Sequence, residues 1–337
     1  MANLVISGVC ALRCPYCFAE EHLAALKARA VPLFISPEIF EQRLDFLQRS
    51  GIPEARLIGG EPTLHPQFAQ LVARAVARGF KVMVFSHGLM PERALAALEA
   101  LPLQQCTVLV NMNATRYPAD TARRDKEHAR RAETLRRLGG RALPGFTIYT
   151  PDFDLDPLLA AINSTGCQQM IRLGVAQAIF AGHNQYIHPK QYPYIAHKIA
   201  RFAVKAAQAG VTISFDCGFV PCMFSDADLA VLRRVKADAQ WHCSPILDID
   251  IDGRVVHCFP LTGTAQTTLE STADAASLRA ALAEQSAPYR MAGIYRDCAT
   301  CALKASGACA GGCLAMTLRR FQQTPFQVTP PAERSTV

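Results

Sequence analysis

Cys10, Cys14 and Cys17 stand in Gly8-Val9-Cys10-Ala11-Leu12-Arg13-Cys14-Pro15-Tyr16-Cys17, a C-x3-C-x2-C run. Three thiolates on one loop can hold three irons of a cubane iron–sulfur cluster. A 4Fe–4S cluster ordinarily takes four cysteines, so a set of three leaves one iron open to a substrate or cofactor. The apolar stretch Leu4-Val5-Ile6 just ahead reads as a strand that would carry the loop. A zinc site is the alternative, and it would need a fourth ligand. His22 is the nearby candidate, at a spacing that fits poorly.

A second motif follows, Arg56-Leu57-Ile58-Gly59-Gly60-Glu61-Pro62-Thr63-Leu64-His65-Pro66. Glycines stand where backbone must approach a neighbour or ligand closely, and Pro62 fixes the exit from the strand. Taken alone, the run reads equally as an ordinary Gly-Pro turn with Glu61 in solvent.

In order and separation the two motifs resemble the radical S-adenosylmethionine (radical SAM) superfamily. The resemblance includes Tyr16, the aromatic just before the third cysteine, and Gly59-Gly60-Glu61-Pro62, which matches the family's second-strand motif. It implies a 4Fe–4S cluster on Cys10, Cys14 and Cys17 whose open iron chelates S-adenosyl-L-methionine. An electron from the cluster then cleaves SAM, and the resulting 5′-deoxyadenosyl radical abstracts hydrogen from a substrate. Gly59 and Gly60 would face the methionine part of SAM, and Glu61 its amino group.

The 337 residues suffice for one large domain and a smaller one, and half of them are hydrophobic. No apolar run reaches the length of a membrane span, and no signal pattern opens the chain. Thirteen cysteines without a secretion signal point to a reducing cytoplasmic setting and to metal ligation. The net charge of +7 is mild. Part of it lies between Arg116 and Arg137, where Arg123, Arg124, Lys126, Arg130, Arg131, Arg136 and Arg137 cluster. A solvated helix face explains this run, and a surface for an acidic substrate or partner is the sharper alternative. No aromatic-basic RNA motif accompanies it, so nucleic acid is not an expected partner.

The positioning elements alternate. Ser36-Pro37 caps a helix carrying Phe40, Leu44 and Leu47, and Gly51 stops it. Later strand candidates are Lys81–Phe85, Thr107–Val110, Phe146–Tyr149, Met170–Val175 and Thr212–Phe215. Helical stretches Phe68–Ala77, Glu92–Leu98, Glu127–Leu138 and Tyr194–Ala209 separate them. Repeated βα units imply a parallel sheet. The expected fold is α/β, a partial (β/α)6 TIM-like barrel with a small cysteine-rich C-terminal auxiliary domain. The expected divisions are a barrel over 1–224, a linker helix over 225–242, an auxiliary domain over 243–323 and a disordered tail over 324–337.

Chemistry in such barrels sits at the C-terminal strand ends. Ser86-His87-Gly88 ends the third strand, and Thr147, Tyr149 and Thr150 lie on the fifth. Asn111-Met112-Asn113 ends the fourth, where many relatives of the resembled group carry Ser-x-Asp. Asn111 and Asn113 would hydrogen-bond the SAM ribose, and Arg172 on the sixth strand would clamp the SAM carboxylate. The polar stretch Gln177–Tyr194 follows the sixth strand and reads as a substrate loop or as a surface connection. Cys106 and Cys167 precede strands four and six, at the barrel bottom, as buried structural thiols.

Eight further cysteines follow from Cys217 to Cys313. Ile246–Asp250 and Arg254–Val256 flank an Asp252-Gly253 turn, a β-hairpin that would bring Cys243 and Cys258 together. Cys298-x2-Cys301 and Cys309-Ala-Gly-Gly-Cys313 follow. The layout resembles the SPASM auxiliary-cluster module or its shorter twitch version. It departs from the usual pattern in the spacing from Cys301 to Cys309 and in having no cysteine after Cys313. The resemblance implies one or two auxiliary iron–sulfur clusters. One would use Cys243, Cys258, Cys313 and an upstream cysteine, Cys222 in preference to Cys217. The other would use Cys298, Cys301 and Cys309 with an open or non-cysteine position. A four-cysteine zinc site on Cys298, Cys301, Cys309 and Cys313 is the alternative.

The resemblance therefore implies an enzyme, an oxidoreductase or maturase with a flavodoxin or ferredoxin reductant. Its first expected substrate is a peptide or protein side chain, oxidised or crosslinked. The alternative is a small-molecule dehydrogenase or epimerase acting on a sugar or cyclitol. A non-catalytic iron–sulfur or RNA-binding protein is the reading from another class.

Overall fold

The structure is a computed structural model that describes residues 1–113, 115, 117, 119–180, 182–270 and 272–323. Arg116 and the tail 324–337 lie outside these residues. In chain order the elements are β1 (Asn3–Ser7), α1 (Glu20–Ala28), α2 (Pro37–Arg49), β2 (Glu54–Gly59), α3 (Phe68–Ala77), β3 (Lys81–Ser86), α4 (Glu92–Glu99), β4 (Cys106–Asn111) and α5 (Thr121–Leu138). There follow β5 (Ala142–Ile148), α6 (Asp156–Thr165), β6 (Met170–Val175), α7 (Tyr192–Gln208), β7 (Thr212–Phe215), α8 (Asp226–Arg234), β8 (Asp248–Ile249), β9 (Arg254–Val256), β10 (Gln266–Thr268), α9 (Ala275–Ser286), α10 (Ala302–Ala305) and α11 (Leu314–Gln323).

Periodicity and caps explain the helices. α3 buries Phe68, Leu71, Val72 and Ala75, one apolar stripe at helical spacing. At the head of α2 the Ser36 hydroxyl accepts from the Ile39 N–H at 3.3 Å, and Pro37 fills the first turn. β1 is buried along its whole length, as befits a strand covered on both faces.

One ten-stranded sheet runs in the order β10-β9-β8-β1-β2-β3-β4-β5-β6-β7. β1 to β7 are parallel in sequence order, and β7 does not pair back onto β1, so the barrel is partial. It carries seven parallel strands. β8 lies parallel on the free edge of β1, pairing Asn3 with Asp248 and Leu4 with Ile249. The hairpin β8–β9 turns at Gly253, which has φ +90°. The cysteine-rich segment thus begins inside the barrel's own sheet.

Buried ties reinforce the join. Asn3 Nδ2 donates to Asp248 at 2.6 Å, and Arg29 pairs with Asp250 at 2.7 Å. His22 lies 3.3 Å from Asp250 and packs on Phe259, so it is committed away from the cysteine loop. A single hydrophobic core runs from β1 to the start of α11. Among the described residues no helix is long and apolar enough to cross a membrane.

Candidate iron–sulfur and cofactor site

The cysteine loop leaves β1 and is clipped by the end of β2. The Gly60 N–H donates to the Ser7 carbonyl at 2.8 Å, and the Glu61 N–H to the Val9 carbonyl at 2.7 Å. Gly59 has φ +142°, and a Cβ there would overlap the Ser7 carbonyl oxygen. A Cβ at Gly60 would overlap the Val9 carbonyl. Both glycines are thus required by the loop's own backbone, a tighter neighbour than any ligand.

Within the loop the Cys17 N–H donates to the Cys14 carbonyl at 3.0 Å, and the Leu12 N–H to Cys10 Sγ at 3.4 Å. Burial pushes the Cys10 thiol up to about 11 and the Cys14 thiol up to about 12, with neighbouring Cys17 raising both further. Such thiols stay protonated unless a cationic centre shares their charge. The donor set therefore fits an iron–sulfur cluster. Among the described residues no three His, Cys, Asp or Glu side chains converge as a single metal ion requires. A four-iron cluster spaces its thiolates more widely, because each sulfur binds a different iron.

Glu61 is 1% exposed, neither solvated nor free for an outside partner. Oε1 accepts from the Thr63 hydroxyl at 2.6 Å and the Thr63 N–H at 3.2 Å. Oε2 accepts from the His87 N–H at 2.9 Å. The carboxylate braces β2, the Pro62 turn and the end of β3 against one another.

Tyr16 is buried and stacks on Tyr149 at 4.6 Å between centroids. Its hydroxyl donates to Asn113 Oδ1 at 3.4 Å. Asn113 also brackets β5, giving Nδ2 to the Thr147 carbonyl at 2.7 Å and accepting from the Thr147 N–H at 3.0 Å. Asn111 Oδ1 accepts from the Asn113 N–H at 3.2 Å. The two asparagines so stiffen the strand ends. Arg172 pairs with Asp216 at 2.7 Å and stacks on Phe85 at 5.3 Å, so its charge already has a partner.

The basic run is not one solvated face. Arg131 is fully buried and donates Nε to the His87 carbonyl at 2.7 Å. Its two Nη atoms have no hydrogen-bond partner among the described residues, and Glu127 lies 3.9 Å away. Cys14 and Tyr16 both feel its charge. The signal was present in the sequence, since Glu127, Arg131, Thr134, Leu135 and Leu138 share one helical stripe and all are buried. Arg137 instead bridges Glu92 and Glu99.

A cavity of about 390 Å³ opens beside the loop, lined by Leu12, His87, Tyr117, Arg123, Lys126 and Arg130. Three cations and one aromatic ring there suit an anionic group.

The stretch 177–194 forms a wall between the cysteine loop and the C-terminal segment. The Gln185 N–H donates to the Pro15 carbonyl at 2.7 Å, and the Phe180 N–H to the Pro260 carbonyl at 3.0 Å. Cys106 opens β4 and Cys167 precedes β6, both buried.

The C-terminal thiols group differently from the expectation. Cys217 has Cys313 and Cys243 as thiol neighbours, and Cys258 has Cys313, Cys243 and Cys217. Cys222, pushed up to about 11 by burial, feels Cys298, Cys309 and Cys301. Cys222 therefore lies among the later cysteines, and Cys217 and Cys313 lie near Cys243 and Cys258.

Comparison with known proteins agrees with this geometry. The family model described as the radical SAM superfamily matches residues 4–164. A nucleotide dehydratase, S-adenosylmethionine-dependent, from Thermoplasmatales archaeon (strain ISO4-H5) is 32% identical over 101 residues, 30% of this chain and 34% of that protein. The protein of the same description from Selenomonas ruminantium is 32% identical over 108 residues, 29% of this chain and 36% of its own. The chain thus spans about a third of the length of these curated relatives.

Among solved structures, anSMEcpe with bound AdoMet and the Kp18Cys peptide has TM-score 0.63 at 14% identity, over 93% of this chain and 88% of that one. Streptococcus suis SuiB bound to its precursor peptide SuiA has TM-score 0.59 at 13% identity, over 82% and 64%. These likenesses establish the shared fold. Residues 4–164, with the cysteine triad clipped by Gly59-Gly60, match the radical SAM superfamily.

Proposed function

We propose that this protein is a radical SAM enzyme that modifies a peptide or protein side chain by oxidation or crosslinking. The observation that carries the catalytic reading is the cysteine loop held by Gly60 and Glu61 beside a buried Arg131 whose Nη atoms have no hydrogen-bond partner among the described residues. When bound there, the 4Fe–4S cluster and S-adenosyl-L-methionine supply a 5′-deoxyadenosyl radical. Cys10, Cys14 and Cys17 would hold the cluster. Arg131 places positive charge next to it, and Tyr16, stacked on Tyr149, covers the loop and excludes water. Clusters held by the C-terminal thiols would accept an electron from the substrate radical, which makes the outcome a net oxidation. A flavodoxin or ferredoxin would supply the first electron.

The peptide assignment is supported by likeness in fold to two proteins solved with peptides, across 82–93% of the chain. The test is anaerobic reconstitution, reduction with dithionite and addition of SAM. Release of 5′-deoxyadenosine is expected, and Cys14→Ala should abolish it. No product from the wild type would sink the catalytic reading. A candidate peptide encoded beside the gene should raise the yield and gain a mass change.

A second reading, a small anionic substrate, is favoured by the cavity with Arg123, Lys126 and Arg130. The nucleotide dehydratases similar to about 30% of the chain point the same way. Stimulation of 5′-deoxyadenosine release by a nucleotide, lost in Arg130→Glu, would favour this reading over the peptide.

A further inference from the structure

Two cubane clusters bound only by cysteine need eight thiols. The chain has six from Cys243 onward, and two more, Cys217 and Cys222, directly after β7. We propose that the loop carrying these two divides them between separate sites. Cys217 completes one site with Cys243, Cys258 and Cys313. Cys222 completes the other with Cys298, Cys301 and Cys309, standing in for the ligand that the C-terminal end of the chain lacks. The inference rests on the reading of this protein as a radical SAM enzyme with auxiliary clusters.

Backbone geometry sorts the thiols. The Ile246 N–H donates to the His257 carbonyl at 3.0 Å, which sets the two arms carrying Cys243 and Cys258 side by side. Phe215 and Phe224, flanking the loop of Cys217 and Cys222, pack on Trp241 at 6.4 and 6.0 Å. That ring anchors the loop two residues before Cys243. The Ala310 N–H donates to the Trp241 carbonyl at 3.0 Å, which brings the Cys309–Cys313 turn to the same place.

Gly311 and Gly312 then take φ +79° and +87°, a reversal open to glycine that sends Cys309 and Cys313 apart. The Gly311 N–H donates to Cys309 Sγ at 3.3 Å. Cys313 directly precedes α11, and the Thr317 N–H donates to its carbonyl at 3.0 Å. On the other side, Gly293 lies against Cys298, where a Cβ would meet Sγ at 2.6 Å and the Gly311 carbonyl at 2.9 Å. Tyr295, next to both Cys222 and Cys298, fixes that group to the barrel by donating to the Pro189 carbonyl at 2.8 Å. The loop itself turns at Gly218, φ +98°, pressed against Gln177, and ends in the tight turn Pro221–Met223.

The test uses the triple variant C10A/C14A/C17A, which removes the first cluster. Loaded anaerobically with iron and sulfide, it should hold about eight irons per chain. Adding C243A or C298A gives reference EPR spectra of the reduced protein with one site left, at about four irons each. C217A should reproduce the C243A spectrum, and C222A the C298A spectrum. If C222A matches C243A, or if either variant keeps eight irons and the parent spectrum, the division is overturned. Zinc in place of iron overturns it as well. Should these variants fail to fold, C217S and C222S in the otherwise intact chain should each lose about four of about twelve irons, and no loss from either overturns it. Wild type that releases 5′-deoxyadenosine yet holds only about four irons sinks this inference and leaves the catalytic reading standing. Wild type with about twelve irons and no 5′-deoxyadenosine does the reverse.

Discussion

Arg131 donates Nε to the carbonyl oxygen of His87 at 2.7 Å, and its Nη atoms, fully buried near Cys14, have no hydrogen-bond partner among the described residues and only Glu127 as a counter-charge, at 3.9 Å. A buried guanidinium with idle donors is costly unless negative charge faces it. Cluster thiolates supply that charge. Positive charge near a cluster stabilises its reduced form, so Arg131→Met should make the first cluster harder to reduce. A shift of about 60 mV to more negative potential, tenfold in the one-electron equilibrium, is expected in EPR-monitored titration. An unchanged potential would show that Arg131 only packs α5.

Gly60 gives a different kind of handle. Its Cβ position is filled by the Val9 carbonyl, so Gly60→Ala must push the cysteine loop off β2. A local strain of about 1–3 kcal/mol is expected, concentrated where the triad is preorganised. The variant should fold but hold about four fewer irons than the wild type, with the C-terminal clusters intact. Iron analysis with far-UV circular dichroism checks both parts.

Much of this site was legible because its signals are local. The C-x3-C-x2-C spacing, the paired glycines and the Asp-Gly turn each specify backbone within a few residues, and the structure carries all three. Arg131 was hidden for a chemical reason, since six other cations surround it in sequence while burial picks out one helical face. The bonds of Glu61 were not legible because its partners, Thr63 and His87, come from different turns. The surroundings of Cys217 and Cys222 depend on Trp241 and Gly311, outside their own loop, so spacing alone could not sort the two thiols.

A second buried carboxylate besides Asp248 ties the barrel to the cysteine-rich segment. Asp250 is 1% exposed and meets Arg29 at 2.7 Å and His22 at 3.3 Å. Those partners hold its carboxyl below the usual range despite burial. Asp250→Ala leaves Arg29 with Asp252 alone and His22 with no carboxylate, and should cost about 2–3 kcal/mol. Urea unfolding of the iron-loaded protein measures it. A loss under about 1 kcal/mol would mean that β8 is held on β1 by backbone pairing alone.

His65 links the second motif to acid sensitivity. Nε2 lies 2.8 Å from the Ile35 carbonyl and donates to it, while Nδ1 accepts from the Gln67 N–H at 3.0 Å. This uses the neutral ring completely, and protonation at Nδ1 would destroy the second bond. Burial holds its pKa below the ordinary 6.5. A base whose pKa is depressed on folding binds protons more readily when unfolded. Its contribution is therefore full above about pH 6.5 and falls as pH drops below that value. Stability measured by urea unfolding between pH 7.5 and 5 should decline on the acid side. His65→Gln keeps a donor for the Ile35 carbonyl and carries no titrating ring. Its acid slope should be shallower than the wild type's, and an identical slope would assign the acid sensitivity to other groups.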